Sequence, residues 1–179
     1  MKKQNKTALV TGAGRGLGFE ICLQLGKLGH KIILGVRDPS SVDKQMINLQ
    51  KEQIECATLK LDMGDISSIE LAVDSLKKET NCLDVLVNNA GTFEEDWGTL
   101  PSELNFADLK RTFDVNFFGM LEVTQLVSKY MLRKKSGDII NIASIAGIDL
   151  SPGNCAYGTS KAAMIAFSKT LFSKLESTI

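Results

Sequence analysis

A chain of 179 residues with 44% apolar content is sized for one globular domain with a substantial core. Its 21 basic residues balance its 21 acidic ones, which argues against a nucleic-acid-binding surface, and no apolar run reaches the ~18 residues that a membrane span needs. Cys22, Cys56, Cys82 and Cys155 are scattered and read as free thiols of a reducing cytoplasm, while a lone His30, just after Gly29, argues against a zinc site or a histidine-based hydrolase triad, so no metal is expected.

Lys2 and Lys3 precede an apolar stretch too short for a signal peptide and broken at Gly12. That stretch, Thr7–Thr11, predicts a buried strand. The glycine-rich run 12–18 follows at once, and a helix is expected over Gly16–Leu28 with Ile21, Leu25 and Leu28 on one face. Strand, glycine loop and helix form the context of a dinucleotide site: glycines let the backbone approach a pyrophosphate, and the helix N-terminus offers free N–H groups to it. The spacing fits Thr-Gly-x-x-x-Gly-x-Gly, not G-x-G-x-x-G or a P-loop; the alternative is a structural tight turn.

Further strands are predicted over Lys31–Val36, Cys56–Leu61, Leu83–Asn88 and Asp138–Ala143, and helices over Ser41–Gln53, Ser67–Glu79, Phe106–Lys135 and Tyr157–Leu175. Asn88-Asn89-Ala90-Gly91 ends the fourth strand, where ligands of open α/β sheets bind, or is a plain turn. The loop Thr92–Asn105, with Phe93, Glu94, Glu95, Asp96 and Trp97, either lines a site entrance or covers the sheet. In the long helix Leu109, Phe113, Phe117, Met120, Val127 and Met131 mark a buried stripe, within which Asn116 is polar and needs partners; it is a functional residue or a locally satisfied core asparagine. Ser144 ends the fifth strand; its hydroxyl can donate to a substrate carbonyl, or it is a turn serine before Ala146-Gly147. Tyr157 and Lys161 stand four apart on one helix face, where a nearby ammonium would favour the phenolate and make the pair a candidate general acid/base; the alternative is a surface helix with a solvated lysine. Regular βα alternation implies an α/β fold: a Rossmann-like doubly wound parallel sheet with strand order 3-2-1-4-5.

Thr11-Gly12…Gly16-Leu17-Gly18, Asn88-Asn89-Ala90-Gly91, Asn116, Ser144 and Tyr157…Lys161 stand in the order and spacing of the short-chain dehydrogenase/reductase (SDR) family in its classical form. The chain resembles that family over essentially its whole length. The resemblance implies an NAD(P)-dependent carbonyl reductase or alcohol dehydrogenase. Tyr157 would be the general acid/base, and Lys161 would lower its pKa and bond the nicotinamide ribose. Ser144 would orient the substrate, and Asn116, on a kinked stretch of backbone, would help relay the proton through a water toward the lysine.

Carried over residue by residue, the cofactor contacts are Gly12, Arg15, Gly16, Leu17, Gly18, Arg37, Asp62 (adenine), Met63 (backbone), Asn89, Ala90 and Gly91, with Tyr157 and Lys161. Asn88 would touch the cofactor and brace the sheet. Asp62 also reads as a capping or turn aspartate. Val36 takes the place of the acid that holds the ribose 2′-hydroxyl of NAD, and Arg37 and Arg15 can bracket a 2′-phosphate, so NADP(H) is favoured over NAD(H). A one-residue shift would make Asp38 the ribose ligand; otherwise Asp38 starts a turn with Pro39.

Residues 1–179 are expected to form a single NAD(P)-binding domain lacking the family's last two strands and substrate-closing segment. The fifth strand would be an exposed edge. The 179-residue chain by itself is then a weak enzyme, and the alternative is a non-catalytic nucleotide-binding module or an inactive fragment. The expected partners are a small carbonyl or alcohol substrate and a second copy. The resemblance implies a homodimer through the long helix and the Tyr157 helix.

Overall fold

Leu9, flanked by Ala8 and Val10, lies at the centre of a five-stranded parallel sheet and has no exposed surface. Its strand, β1 (Thr7–Thr11), pairs on one side with β2 (Lys31–Val36) and on the other with β4 (Val85–Asn88). β3 (Cys56–Lys60) joins β2 and β5 (Asp138–Asn141) joins β4, giving the order β3-β2-β1-β4-β5. The computed structural model describes residues 6–79, 83–149 and 155–176, without the side chains of 79 and 171–176. Cys82 lies outside the described residues.

Strands buried on both faces read as continuous apolar runs. Along β1 and β2 successive side chains enter opposite layers. Ala8, Val10, Ile32 and Leu34 pack with Cys22 of α1 (Gly16–Lys27) and Leu49 of α2 (Asp43–Lys51). Leu9 and Ile33 pack on the other face with Ile69 and Val73 of α3 (Ile66–Glu79), Val123 and Val127 of α5 (Met120–Lys134), and Met164 of α6 (Cys155–Glu176). The result is the Rossmann-like doubly wound architecture.

The sequence-predicted strands run slightly long, but their hydrogen bonds continue past the ends: Leu61 N–H donates to Val36 O at 2.8 Å and Ile142 N–H to Asn88 O at 2.9 Å. Two helix expectations need correction. In α1 the fully buried residues are Gly18 and Cys22, whereas Leu28 is 61% exposed, because the helix ends at Lys27 and the chain turns away at Gly29, φ 92°. The long helix is not uniform. It comprises α4 (Phe106–Phe113), a wide π turn (Asp114–Gly119) and α5. The extra residue in the π turn rotates the face, so Thr112, Asn116 and Gly119 are buried in its first half while Leu109, Phe113 and Phe117 are half-buried. Gly119 is required there: a Cβ would lie 2.0 Å from the Met63 carbonyl oxygen.

Candidate active site

The carboxyl ends of β1, β4 and β5 meet at one rim. At the end of β1 the Thr11 hydroxyl accepts from the N–H groups of Asn89 (3.1 Å) and Ala90 (3.0 Å) and donates to Val87 O at 3.4 Å. Asn89 Nδ2 returns bonds to Thr11 O at 3.0 Å and Gly12 O at 3.3 Å. Gly12 has φ +65°, and a Cβ on it would stand 2.8 Å from Ala90 Cα; a Cβ on Gly18 would stand 2.4 Å from Gly12 O. The glycine loop is thus clamped onto the end of β4, and side chains at those two positions would break the clamp. Gly16, φ +54°, has open space where its Cβ would be.

Arg15 is the N-cap of α1 but makes no side-chain capping bond, and the first turn carries no acid. Arg15, Gly16 and Leu17 are exposed. A helix N-terminus with an uncapped first turn attracts an anion. The loop therefore fits the pyrophosphate of a dinucleotide. The fit rests on the close approach that only glycines permit together with the uncapped amides beside it.

Val36 is 5% exposed and Arg37 is exposed. The Asp38 carboxylate accepts from Ser40 Oγ at 2.7 Å and Ser40 N–H at 2.9 Å, capping a short 3-10 turn over Pro39–Val42. Those two bonds, with Lys60 nearby, hold its carboxyl below the usual range. Asp38 is therefore engaged as the turn-starting residue. Asp62 accepts from Gly64 N–H at 2.9 Å through one oxygen, which is the turn role weighed above, while its own N–H donates to Ser68 Oγ at 3.0 Å. Met63 is buried, with its carbonyl against Gly119.

Asn88 is 1% exposed, and its Nδ2 donates at 2.8 Å both to Thr124 Oγ1 of α5 and to Asn141 Oδ1 of β5. These two bonds satisfy the Nδ2 group inside the fold, while Oδ1 is buried without a partner among the described residues. Asn88 braces the sheet.

The remaining residues gather between the π turn and α6. Asn116 is fully buried; Oδ1 accepts from Thr92 N–H at 2.7 Å, and Nδ2 donates to Thr92 O at 2.9 Å and Ser160 Oγ at 3.1 Å. Lys161 is 3% exposed and donates to the Ile142 carbonyl at 2.8 Å. Burial pushes its ammonium down from the ordinary lysine value. Its Nζ lies 5.8 Å from the centre of the Tyr157 ring. Gly91 adjoins both: a Cβ there would lie 3.3 Å from Asn116 Oδ1 and 3.7 Å from Lys161 Nζ.

Ser144 accepts from Ala146 N–H at 3.2 Å, as the turn reading requires, and caps a 3-10 turn over Ile145–Gly147. That turn presses on α6 at Lys161, since a Cβ on Gly147 would stand 2.7 Å from the Lys161 carbonyl carbon. Tyr157 is half-buried, its ring 5.6 Å from Phe93 and its N–H donating to Glu95 Oε1 at 2.9 Å. Gly91, Asn116, Tyr157 and Lys161 therefore form one cluster, with the turn after Ser144 packed on α6 at Lys161; the Gly12–Gly18 loop, Asn89 and Ala90 form the adjoining cradle.

Several contributing residues receive no such role from the sequence. Thr11 enters only as part of the glycine motif, although a polar residue at the end of a buried strand is itself a usable signal. Thr92 acts through its backbone, and Ser160 and Glu95 act through side-chain bonds to residues distant in sequence, which leave no pattern. Gln45, whose Nε2 donates to Gly14 O at 2.6 Å, sits on an ordinary exposed-looking helix.

Fold and clamp together define a dinucleotide-binding α/β protein. The chain belongs to the short-chain dehydrogenase family, whose model matches residues 6–179. It is 33% identical over 173 residues to a 3-oxoacyl-[acyl-carrier-protein] reductase of Synechocystis sp., covering 96% of this chain and 69% of the relative. It is 36% identical over 169 residues to an NADP-dependent 3-hydroxy acid dehydrogenase of Schizosaccharomyces pombe, covering 93% of this chain and 64% of that one. Among solved structures, an NAD+-bound xylitol dehydrogenase superposes with a TM-score of 0.91 at 31% identity, over 99% of this chain and 68% of that chain. The chain thus spans roughly two thirds of the length of proteins it matches. Relatives of both cofactor types occur among them. Among the described residues no helix is long and apolar enough to cross a membrane, and no group of three His, Cys, Asp or Glu is placed to hold a metal.

Proposed function

We propose that this protein interconverts a carbonyl and an alcohol with NADP(H), using Tyr157 as general acid/base. The observation that carries the reading is the buried Lys161, held by the Ile142 carbonyl with its ammonium 5.8 Å from the Tyr157 ring. A buried ammonium beside a phenol, at the rim where the glycine cradle ends, is an arrangement that packing alone does not call for.

The nicotinamide cofactor supplies or accepts the hydride when bound. Tyr157 gives its hydroxyl proton to the oxygen of the carbonyl being reduced, and takes a proton back in the oxidative direction. Lys161 sets a positive charge 5.8 Å from the ring centre, where it offsets the negative charge that develops as the proton leaves. Ser144, at the end of β5, orients the substrate oxygen through its hydroxyl. Asn116 holds the Thr92 backbone and, in this reading, the proton-relay water. Gly12, Arg15, Gly16, Leu17, Gly18, Asn89, Ala90 and Gly91 hold the dinucleotide's phosphates and ribose; Asp62 and Met63 flank the adenine.

NADP(H) is preferred because Val36 offers no carboxylate to a ribose, Asp38 is engaged by Ser40, and Arg37 and Arg15 are exposed cations suited to a 2′-phosphate. The substrate is a small carbonyl or alcohol, and the names of the two relatives from Synechocystis sp. and Schizosaccharomyces pombe make 3-oxoacyl compounds and 3-hydroxy acids the first to try. The chain acts as one nucleotide-binding unit. It pairs with a second copy through α4–α5 and α6, where Phe106 and Phe118 are exposed. A reducing cytoplasmic setting suits Cys22, Cys56 and Cys155, which are free thiols.

The test is Tyr157→Phe in the full-length protein. Turnover should fall by about 10² to 10⁴, while stabilisation by NADPH is kept. Turnover at the wild-type rate would overturn the assignment.

A further inference from the structure

Residues 92–95 are tied at both ends to proposed site residues. The Thr92 backbone exchanges two hydrogen bonds with the Asn116 amide, at 2.7 and 2.9 Å. Phe93 sets its ring against Tyr157. Glu94 accepts from the Thr92 hydroxyl at 2.5 Å and faces Arg111 Nε at 3.4 Å. Glu95 is 4% exposed, and its Oε1 accepts from the Tyr157 N–H at 2.9 Å. Its Oε2 is buried without a hydrogen-bond partner among the described residues.

The first N–H groups of a helix have no intrahelical acceptor. α6 starts at Cys155, so the Tyr157 N–H is the third of them. The residue just before a helix usually supplies the acceptor from a short side chain. Here the acceptor comes from the loop after β4, and a carboxylate suits the positive end of the helix. A buried carboxylate is costly unless its oxygens are bonded, and Glu95 leaves one unbonded. Capping alone does not call for this, since an exposed Ser, Asn or Asp caps a helix without burying a charge.

We propose that Glu95 is a positioning residue. It fixes the first turn of α6, and hence the Tyr157 phenol, relative to Asn116 and Lys161, with residues 92–95 as the strap that connects them. The role rests on the reading of Tyr157 as acid/base. A reacting group displaced by about 1 Å loses on the order of 10² in rate.

The experiment uses the full-length protein with Glu95→Ala, Glu95→Asp and Glu95→Gln, and Tyr157→Phe in parallel. NADPH oxidation is followed against a panel of 3-oxo esters and small ketones, and alcohol oxidation in reverse. Rates are expressed per NADPH-binding site, counted by titration. Glu95→Ala and Glu95→Asp, the latter one methylene short, should lose kcat by about 10- to 100-fold with KM and the NADPH affinity unchanged. Glu95→Gln keeps an oxygen at the same reach and should restore most of the rate. Trp97, the chain's one tryptophan, lies beside Phe93 and should change its emission in the Ala variant and not in the Gln variant.

A purely structural cap would lower Tm and the number of binding sites while leaving the rate per site intact, and that result would overturn the proposal. Should the Ala variant fail to fold, the Asp variant is read by the same criterion. Full turnover by Tyr157→Phe would remove the reading of the site itself. An inactive Tyr157→Phe beside fully active Ala and Asp variants would remove the positioning role alone.

Discussion

Lys161 has opposite effects on stability and on the proposed chemistry. Its burial disfavours the charged form, so its pKa falls on folding. The unfolded chain titrates this lysine near ~10.4. Between the lowered folded value and that figure the unfolded state holds more protons, so stability rises with pH across the window. Below the window the ammonium is charged in both states and its full burial penalty is present. Lys161→Met keeps the aliphatic stem and removes the charge. Its Tm at neutral pH should equal or exceed that of the parent, turnover should be lost, and the difference between the two proteins should shrink as pH rises through the window. Thermal melts from pH 7 to 10.5 check this; a variant several degrees less stable at pH 7 would mean that the bond to the Ile142 carbonyl outweighs desolvation. Stability gained as activity is lost is a common trade at functional sites.

At the scale of elements, close backbone approach distinguishes the glycines. Gly119 lets the π turn sit on the Met63 carbonyl, whereas Gly16 faces open space and needs only its left-handed φ of +54°. Gly119→Ala forces backbone against backbone, so it should cost at least the ~1–3 kcal/mol typical of overpacking. Gly16→Ala should cost only the ~1–2 kcal/mol of left-handed strain. Denaturant midpoints of the two variants check the order, and the reverse order would contradict the packing of the π turn on the loop after β3. The same contrast explains what was legible in the sequence. β1, the Gly12–Gly18 loop and the Tyr157–Lys161 spacing could be read because each is a local requirement: a buried run, a backbone approach, one helical turn. The π turn could not be read from periodicity, since a single added residue leaves the 3.6-residue pattern almost intact while Thr112 and Asn116 turn inward; only the resemblance implied a kink at Asn116. That Asn88 braces the sheet came from the resemblance, but its partners Thr124 and Asn141, 36 and 53 residues distant, could not be read from the sequence. Glu95 was one acid among several in a loop without periodicity.

At the scale of the molecule, the site draws on both layers of the fold. α1, with its free N-terminus, packs on one face of the sheet, while α5 and α6, which flank the Lys161 cluster, pack on the other. β1 and β4, where the strand order reverses, lie between them, the usual ligand crevice of open α/β sheets. A nucleotide that spans this crevice binds only the folded arrangement, so its affinity adds to the stability of the whole unit. At 100 times Kd the gain is ~2.7 kcal/mol, and at about 2–4 °C per kcal/mol for a domain of this size Tm should rise by roughly 5–11 °C. NADPH should give the larger shift than NADH at equal concentration if Arg15 and Arg37 take the 2′-phosphate. The advantage should shrink in Arg37→Ala, vanish with Arg15→Ala added, and fade with salt as exposed charge–charge contacts do. On the proposed NADP(H) reading Asp38→Ala should leave it unchanged, because that carboxylate, bonded by Ser40 through one oxygen, serves to start the turn. Equal shifts from the two nucleotides, or loss of the NADH shift in Asp38→Ala, would reassign the second strand's end to NAD(H) and leave the fold and the Tyr157–Lys161 pair untouched.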